Sequence, residues 1–154
     1  MKKMFRPRAE TEKVRLDWGK AGAGMSLLRV LVVEDFAPFR QFICSTLGKQ
    51  ANLQVICEVS DGLEAVHKAE ELKPDLILLD IGLPTLNGID AARRIRKLVP
   101  ESKIIFVTQE SSPDIVQEAL GLGAWGYVVK TRAASELLAA VESVISEKQF
   151  VGST

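Results

Sequence analysis

Two cysteines and one histidine are all that 154 residues offer for thiol or imidazole chemistry. Cys44 and Cys57 make neither a metal-ligand spacing nor a disulfide framework; among apolar neighbours they read as small core residues. His67, flanked by charged residues in a helical pattern, reads as a surface residue. No run approaches the ~18 uninterrupted apolar residues a membrane helix requires, and the first residues lack the apolar stretch of a secretory signal, so a cytoplasmic location is expected. Net charge is absent too, at +0, but only on average. Residues 1–26 hold seven Lys/Arg against three Asp/Glu, +4, and the remainder thirteen against seventeen, −4. An acidic folded part gives no support to a nucleic-acid-binding surface.

Apolar residues make up 47% of the chain, enough for one core in one domain of ordinary size. Residues 1–26 show no sustained periodicity and read as a basic extension ending in the junction "AGAGMS" (21–26). The folded domain is expected over 27–150, with 151–154 as a tail. Five short apolar runs read as buried strands: "RVLVV" (29–33), "LQVIC" (53–57), "LILL" (76–79), "IIFV" (104–107) and "YVV" (127–129). Helical stripes separate them: Phe39, Phe42, Ile43 and Leu47; Ala65, Val66, Ala69 and Leu72; Ala91, Ala92, Ile95, Leu98 and Val99; Ile115, Val116, Ala119 and Leu120. A last stripe, Leu137, Leu138, Val141, Val144 and Ile145, follows the fifth strand. Asn87 suits a cap for the third helix, and Ser112 with Pro113 the start of the fourth. Strict alternation implies an α/β fold: a doubly wound, flavodoxin-like, five-stranded parallel sheet of order 2-1-3-4-5 with five helices.

In such sheets ligands bind beyond the carboxyl ends of the strands. The first strand runs into Glu34 and Asp35, the third into Asp80, the fourth into Thr108 and the fifth into Lys130. The second, expected at the edge, ends in Glu58 and is left out of the site. Singly, each has an ordinary reading: an acid after a strand caps a helix, and a lysine there is surface. Jointly, they would crowd three carboxylates around one ammonium group. Like charges so close raise one another's pKa unless a cation neutralises them, and oxygen-only ligands favour Mg²⁺ over zinc. The pocket suits a transferring phosphoryl group, whose chemistry needs positioning and charge neutralisation.

At these residues the sequence resembles the response-regulator receiver family, over residues 28 to about 150. "VLVVEDFAPFR" (30–40) is similar to its acidic-pair segment. "PDLILLDIGLPTLNGID" (74–90) is similar to its phosphoacceptor segment, with the Pro84 and Gly88 spacing intact. "IIFVTQES" (104–111) is similar to its Thr/Ser-ended strand, and "GAWGYVVKTRAASELLAAV" (123–141) to its Tyr…Lys segment and last helix. The resemblance implies that Asp80 takes a phosphoryl group from a histidine kinase or histidine phosphotransfer protein. Asp35, Asp80 and the backbone carbonyl of Gly82 would hold Mg²⁺, with Glu34 acting through a metal-bound water. Lys130 would pair with Asp80 or the phosphoryl oxygens. Thr108 would move to the phosphoryl group and Tyr127 would turn inward behind it, switching a protein-interaction face of helix 4, strand 5 and helix 5. The downstream protein is not named by the residues. A homodimer is compatible with the pattern, and the last helix resembles those of receivers joined to helix-turn-helix output domains. The implied role is a signalling module, not an enzyme with a separate substrate.

Two positions depart from the family. Gln109 follows Thr108 where a small residue is usual, so a longer side chain would obstruct phosphodonor or water access. Thr131 follows Lys130 where many members carry proline after a cis bond. "GLGAWG" (121–126) fits a dinucleotide fingerprint in letters only, since it precedes a strand instead of opening a helix. Arg93, Arg94, Arg96 and Lys97 read as a solvated helix face. Trp125 and Tyr127 are expected to share one face of the fifth strand, with Trp125 either packed or partly exposed on the interaction face. Two other functions fit the fold: a hydrolase with an aspartyl intermediate, and a flavin or nucleotide carrier. The first generally places a second acid two residues after its nucleophile, where this chain has Gly82; the second needs a phosphate-cradling loop that is not evident.

Overall fold

The computed structural model describes residues 27–152; the extension read over 1–26 and the last two residues of the tail lie outside the described residues. Among these, six strands and five helices alternate: β1 (Leu28–Val33), α1 (Ala37–Gly48), β2 (Leu53–Val59), α2 (Gly62–Leu72), β3 (Leu76–Leu79), α3 (Gly88–Leu98), β4 (Lys103–Thr108), α4 (Pro113–Gly121), β5 (Gly126–Val129), α5 (Ala133–Ile145) and β6 (Phe150–Val151). The strands form one sheet of order β2-β1-β3-β4-β5-β6, parallel throughout. The five expected strands occupy the expected order. β6 adds a short edge beyond β5, pairing Phe150 with Gly126 and Val151 with Tyr127. Two residues carry no alternation to read, so this strand exists only through its pairing.

Period-2 alternation sorts the strand side chains onto two faces. Val30, Val32, Leu76, Leu78, Ile105, Val107 and Val128 pack with Ile43 and Leu47 of α1 and with Leu137, Ala140, Val141 and Val144 of α5. Leu31, Val33, Ile77, Leu79, Ile104, Phe106, Tyr127 and Val129 pack against α2, α3 and α4 through Ala65, Ala69, Ala91, Ile95 and Ala119. Covered on both faces, these strands need unbroken apolar runs, as the sequence has. Leu98 departs from its stripe and is 45% exposed, whereas Val99 is fully buried. At about 100° per residue the buried line runs through Gly88, Ala92, Ile95 and Val99, leaving Leu98 to one side. Asn87 and Ser112 cap their helices through Asp90 N–H and Ile115 N–H.

Two glycines let the β3–α3 segment close over the end of the sheet. A Cβ on Gly88 would lie 2.0 Å from the carbonyl oxygen of Asp80, and one on Gly62 would lie 1.8 Å from that of Leu86. Gly88 N–H also donates to the Ile81 carbonyl at 2.7 Å. The third helix therefore begins in contact with the backbone of Asp80. Gly88→Ala must push that backbone aside, and a loss of about 2 kcal/mol is expected. Urea denaturation measures it; an unchanged midpoint would show that the loop tolerates the side chain.

Candidate functional site

The switch in strand order between β1 and β3 opens a crevice above the sheet, and five strand-end side chains reach it. Carboxylate oxygens of Glu34, Asp35 and Asp80 lie within 4.8 Å of one another. Lys130, 96 residues along the chain from Glu34, sends its Nζ between two of them: 3.0 Å from Glu34 Oε2 and 3.2 Å from Asp80 Oδ2. Asp80 Oδ1 accepts from its neighbour Ile81 N–H at 2.8 Å, and Glu34 Oε2 accepts also from Phe36 N–H at 3.0 Å. Glu34 Oε1, also buried, lies 3.0 Å from the same ammonium as an ion-pair contact and has no other polar partner. Asp35, Asp80, Gly82, Thr108 and Lys130 line a hollow of about 270 Å³, with Phe36, Gln109 and Glu110 completing its walls.

Charge and burial oppose each other here. Burial pushes the Glu34 carboxyl above its ordinary pKa; Asp80 adds to the rise, and Phe36 N–H and Lys130 only partly offset it. Burial works against the Lys130 ammonium too, but its hydrogen bond to Glu34 and the charges of Asp80 and Glu34 outweigh it, so its pKa is raised. The same ion pair acts on both; Glu34, wholly enclosed, loses more to desolvation. Two acids and the exposed Asp35 against one ammonium leave the cluster short of positive charge. Oxygen donors with this deficit fit a hard divalent cation.

Thr108 and Tyr127 sit one step away. Thr108 is buried, and its Oγ1 accepts from Glu110 N–H at 3.4 Å. The Tyr127 hydroxyl donates to the Glu110 carbonyl at 2.7 Å. Its ring is buried, and burial first, then the charges of Glu110 and Asp80, pushes its pKa up to about 12. Tyr127 thus does not line the hollow but is joined to Thr108 through one residue. Trp125 belongs to the α1/α5 face, opposite Tyr127, contrary to the expected shared parity. β5 begins only at Gly126, so alternation does not extend back to it. Trp125 is half-buried, with Lys103 Nζ 4.7 Å from its ring centroid.

Three neighbours of the site were not legible as such. Arg40 donates to the Glu34 carbonyl at 2.7 Å and pairs with Glu58 at 3.4 Å, tying α1 to the ends of β1 and β2. Phe39, a member of the α1 stripe, places its ring centroid 4.9 Å from Lys130 Nζ. Gly62 has no chemistry of its own. None carries a sequence signal, because each matters only through a partner from another segment. Among residues set aside, His67 is exposed, and Arg93 is engaged by Asp90 and Glu118. Both cysteines are half-buried and free; burial, then Glu58, pushes the Cys44 thiol up to about 12, which makes it inert as a nucleophile. The described residues hold no cis peptide bond, so Thr131 follows Lys130 in trans.

The family model described as the response regulator receiver domain matches residues 30–142. The response regulator protein VraR of Staphylococcus aureus is 37% identical over 114 residues, covering 74% of this chain and 54% of VraR. The chain thus spans about half the length of that curated relative. A LuxR-family two-component response regulator from Aurantimonas superposes with a TM-score of 0.77 at 28% identity, covering 81% of this chain and 89% of that one. The response regulator domain of Thermotoga maritima CheB does so with a TM-score of 0.73 at 36% identity, covering 78% and 97%.

Lys130→Met leaves Glu34 enclosed without its cation, and removing one member of a buried pair costs about 3–5 kcal/mol. A carboxyl whose folded pKa is raised contributes stability that is fully present below the ordinary value of 4.5 and lost as pH rises through the folded value. The variant raises that value further. Urea denaturation at pH 8 and pH 5 is therefore expected to show a large loss that shrinks at the lower pH; an equal loss at both would remove Glu34 as its cause.

Proposed function

This chain belongs to the response regulator receiver domain family, and from that membership we propose that Asp80 is its phosphoacceptor. The reading rests above all on the ammonium of Lys130 held 3.2 Å from Asp80 Oδ2 and 3.0 Å from Glu34 Oε2, with Asp35 the third carboxylate of the cluster. A carboxylate oxygen of Asp80 attacks the phosphorus of a phosphohistidine on a partner kinase or phosphotransfer protein. The O–P bond forms as the P–N bond breaks, and its electron pair stays with the departing imidazole. Asp35, Asp80 and the Gly82 carbonyl would ligate Mg²⁺ directly and Glu34 through a water. The ion would supply the positive charge that the phosphoryl oxygens require in transfer.

Lys130 already stands beside Asp80 and needs only to exchange a carboxylate for a phosphoryl oxygen. Thr108 would release Glu110 N–H and turn its hydroxyl to the phosphoryl group. Glu110 also holds Tyr127, so that movement reaches β5 and the face formed with α4 and α5, a two-state element biased by local charge. On this reading residues 27–150 form the receiver unit, 1–26 a basic extension, and the output is contact with a downstream protein, with a second copy of the chain among the partners compatible with that face. The described residues include no helix long and apolar enough to cross a membrane.

Acetyl phosphate with Mg²⁺ is expected to add one base-labile phosphoryl mass at Asp80. Asp80→Asn or removal of Mg²⁺ by chelation should abolish it. Mass gain that survives Asp80→Asn, or rapid turnover of many phosphate esters, would replace this reading with the hydrolase one. Gln109 stands on the wall of the hollow. Gln109→Ala is expected to speed loss of the phosphoryl group several-fold in a timed decay; an unchanged half-life would clear the side chain of that role.

A further inference from the structure

Four groups meet the ammonium of Lys130, and one of them is not a carboxylate oxygen. The ring of Phe39 lies with its centroid 4.9 Å from Nζ, inside the ~6 Å range at which an aromatic face attracts a cation. The Lys130 side chain is only 13% exposed, so water screens this attraction weakly. The ring is itself held. Phe42, three residues on, stacks on it at 5.4 Å and 32°. Pro38 stands in the first turn of α1, and Arg40 binds that turn to the Glu34 carbonyl. Nothing in the sequence pattern required Phe39 to be aromatic: the core stripe of α1 accepts any apolar side chain.

We propose that Phe39 is a positioning residue for Lys130, holding its ammonium over Asp80 by cation–π attraction. The chemistry of the contact distinguishes it from the two carboxylates. An ammonium has three N–H donors, and Glu34 Oε1 and Oε2 and Asp80 Oδ2 already lie within 3.2 Å of it. A further acid would add another oxygen to compete with an incoming phosphoryl oxygen. An aromatic face attracts the charge and occupies no donor along an oxygen's line of approach. The ring keeps the ammonium charged, largely dry and near Asp80 without adding an oxygen that a phosphoryl group would have to displace. This inference rests on Asp80 being the phosphoacceptor.

Fluorination separates attraction from packing, because it drains the ring face of negative potential with little change of shape. Phenylalanine at position 39 is replaced site-specifically by mono-, di- and trifluorophenylalanine, and Asp80 phosphorylation by acetyl phosphate with Mg²⁺ is timed. The same series at Phe42 serves as the reference. A rate falling stepwise with fluorine number at 39, by ~3–10-fold in all, and flat at 42 supports the proposal. A flat series at 39 with normal phosphorylation of the unmodified chain overturns it alone. Failure of the unmodified chain to phosphorylate at Asp80 overturns both this inference and the functional reading beneath it.

Discussion

The ion pairing of Lys130 with Glu34 and Asp80 is the constraint on which the site depends. It joins β1, β3 and the turn after β5, three segments that the sheet brings side by side but that share no local sequence. Enclosing a carboxylate such as Glu34 is unfavourable by itself, and a nearby Asp80 makes it more so. The ammonium makes the arrangement tolerable without neutralising it. What is left is a deficit of positive charge, of the kind a hard divalent ion would relieve.

Around that pair the backbone is held close. Gly88 brings the start of α3 against the Asp80 carbonyl, and Gly62 lets the preceding loop lie on α2. The backbone of Asp80 is therefore packed closely against the start of α3. Thr108, Glu110 and Tyr127 are joined by two hydrogen bonds beside the hollow.

Legibility in the sequence varied with the kind of information involved. The five main strands and all five helices were readable because an interior strand must be apolar throughout and a helix must show a stripe. Asn87 and Ser112 were readable as caps because capping is local. Trp125 was misplaced because it precedes β5, where alternation does not yet dictate direction, and Leu98 because the buried line of α3 passes to one side of it. β6 was missed because its two residues are a strand only by virtue of Tyr127 beside them. Phe39 was legible as apolar, not as a neighbour of an ammonium group.

By itself, then, the sequence determined which residues stand at the strand ends and which faces are apolar, since both follow from spacings of two and of three to four along the chain. Only the tertiary structure decided that Lys130 lies between Glu34 and Asp80, and that an aromatic face meets the same ammonium. Those are distances between separate segments. They are set by strand order and layer packing, and no local periodicity encodes them.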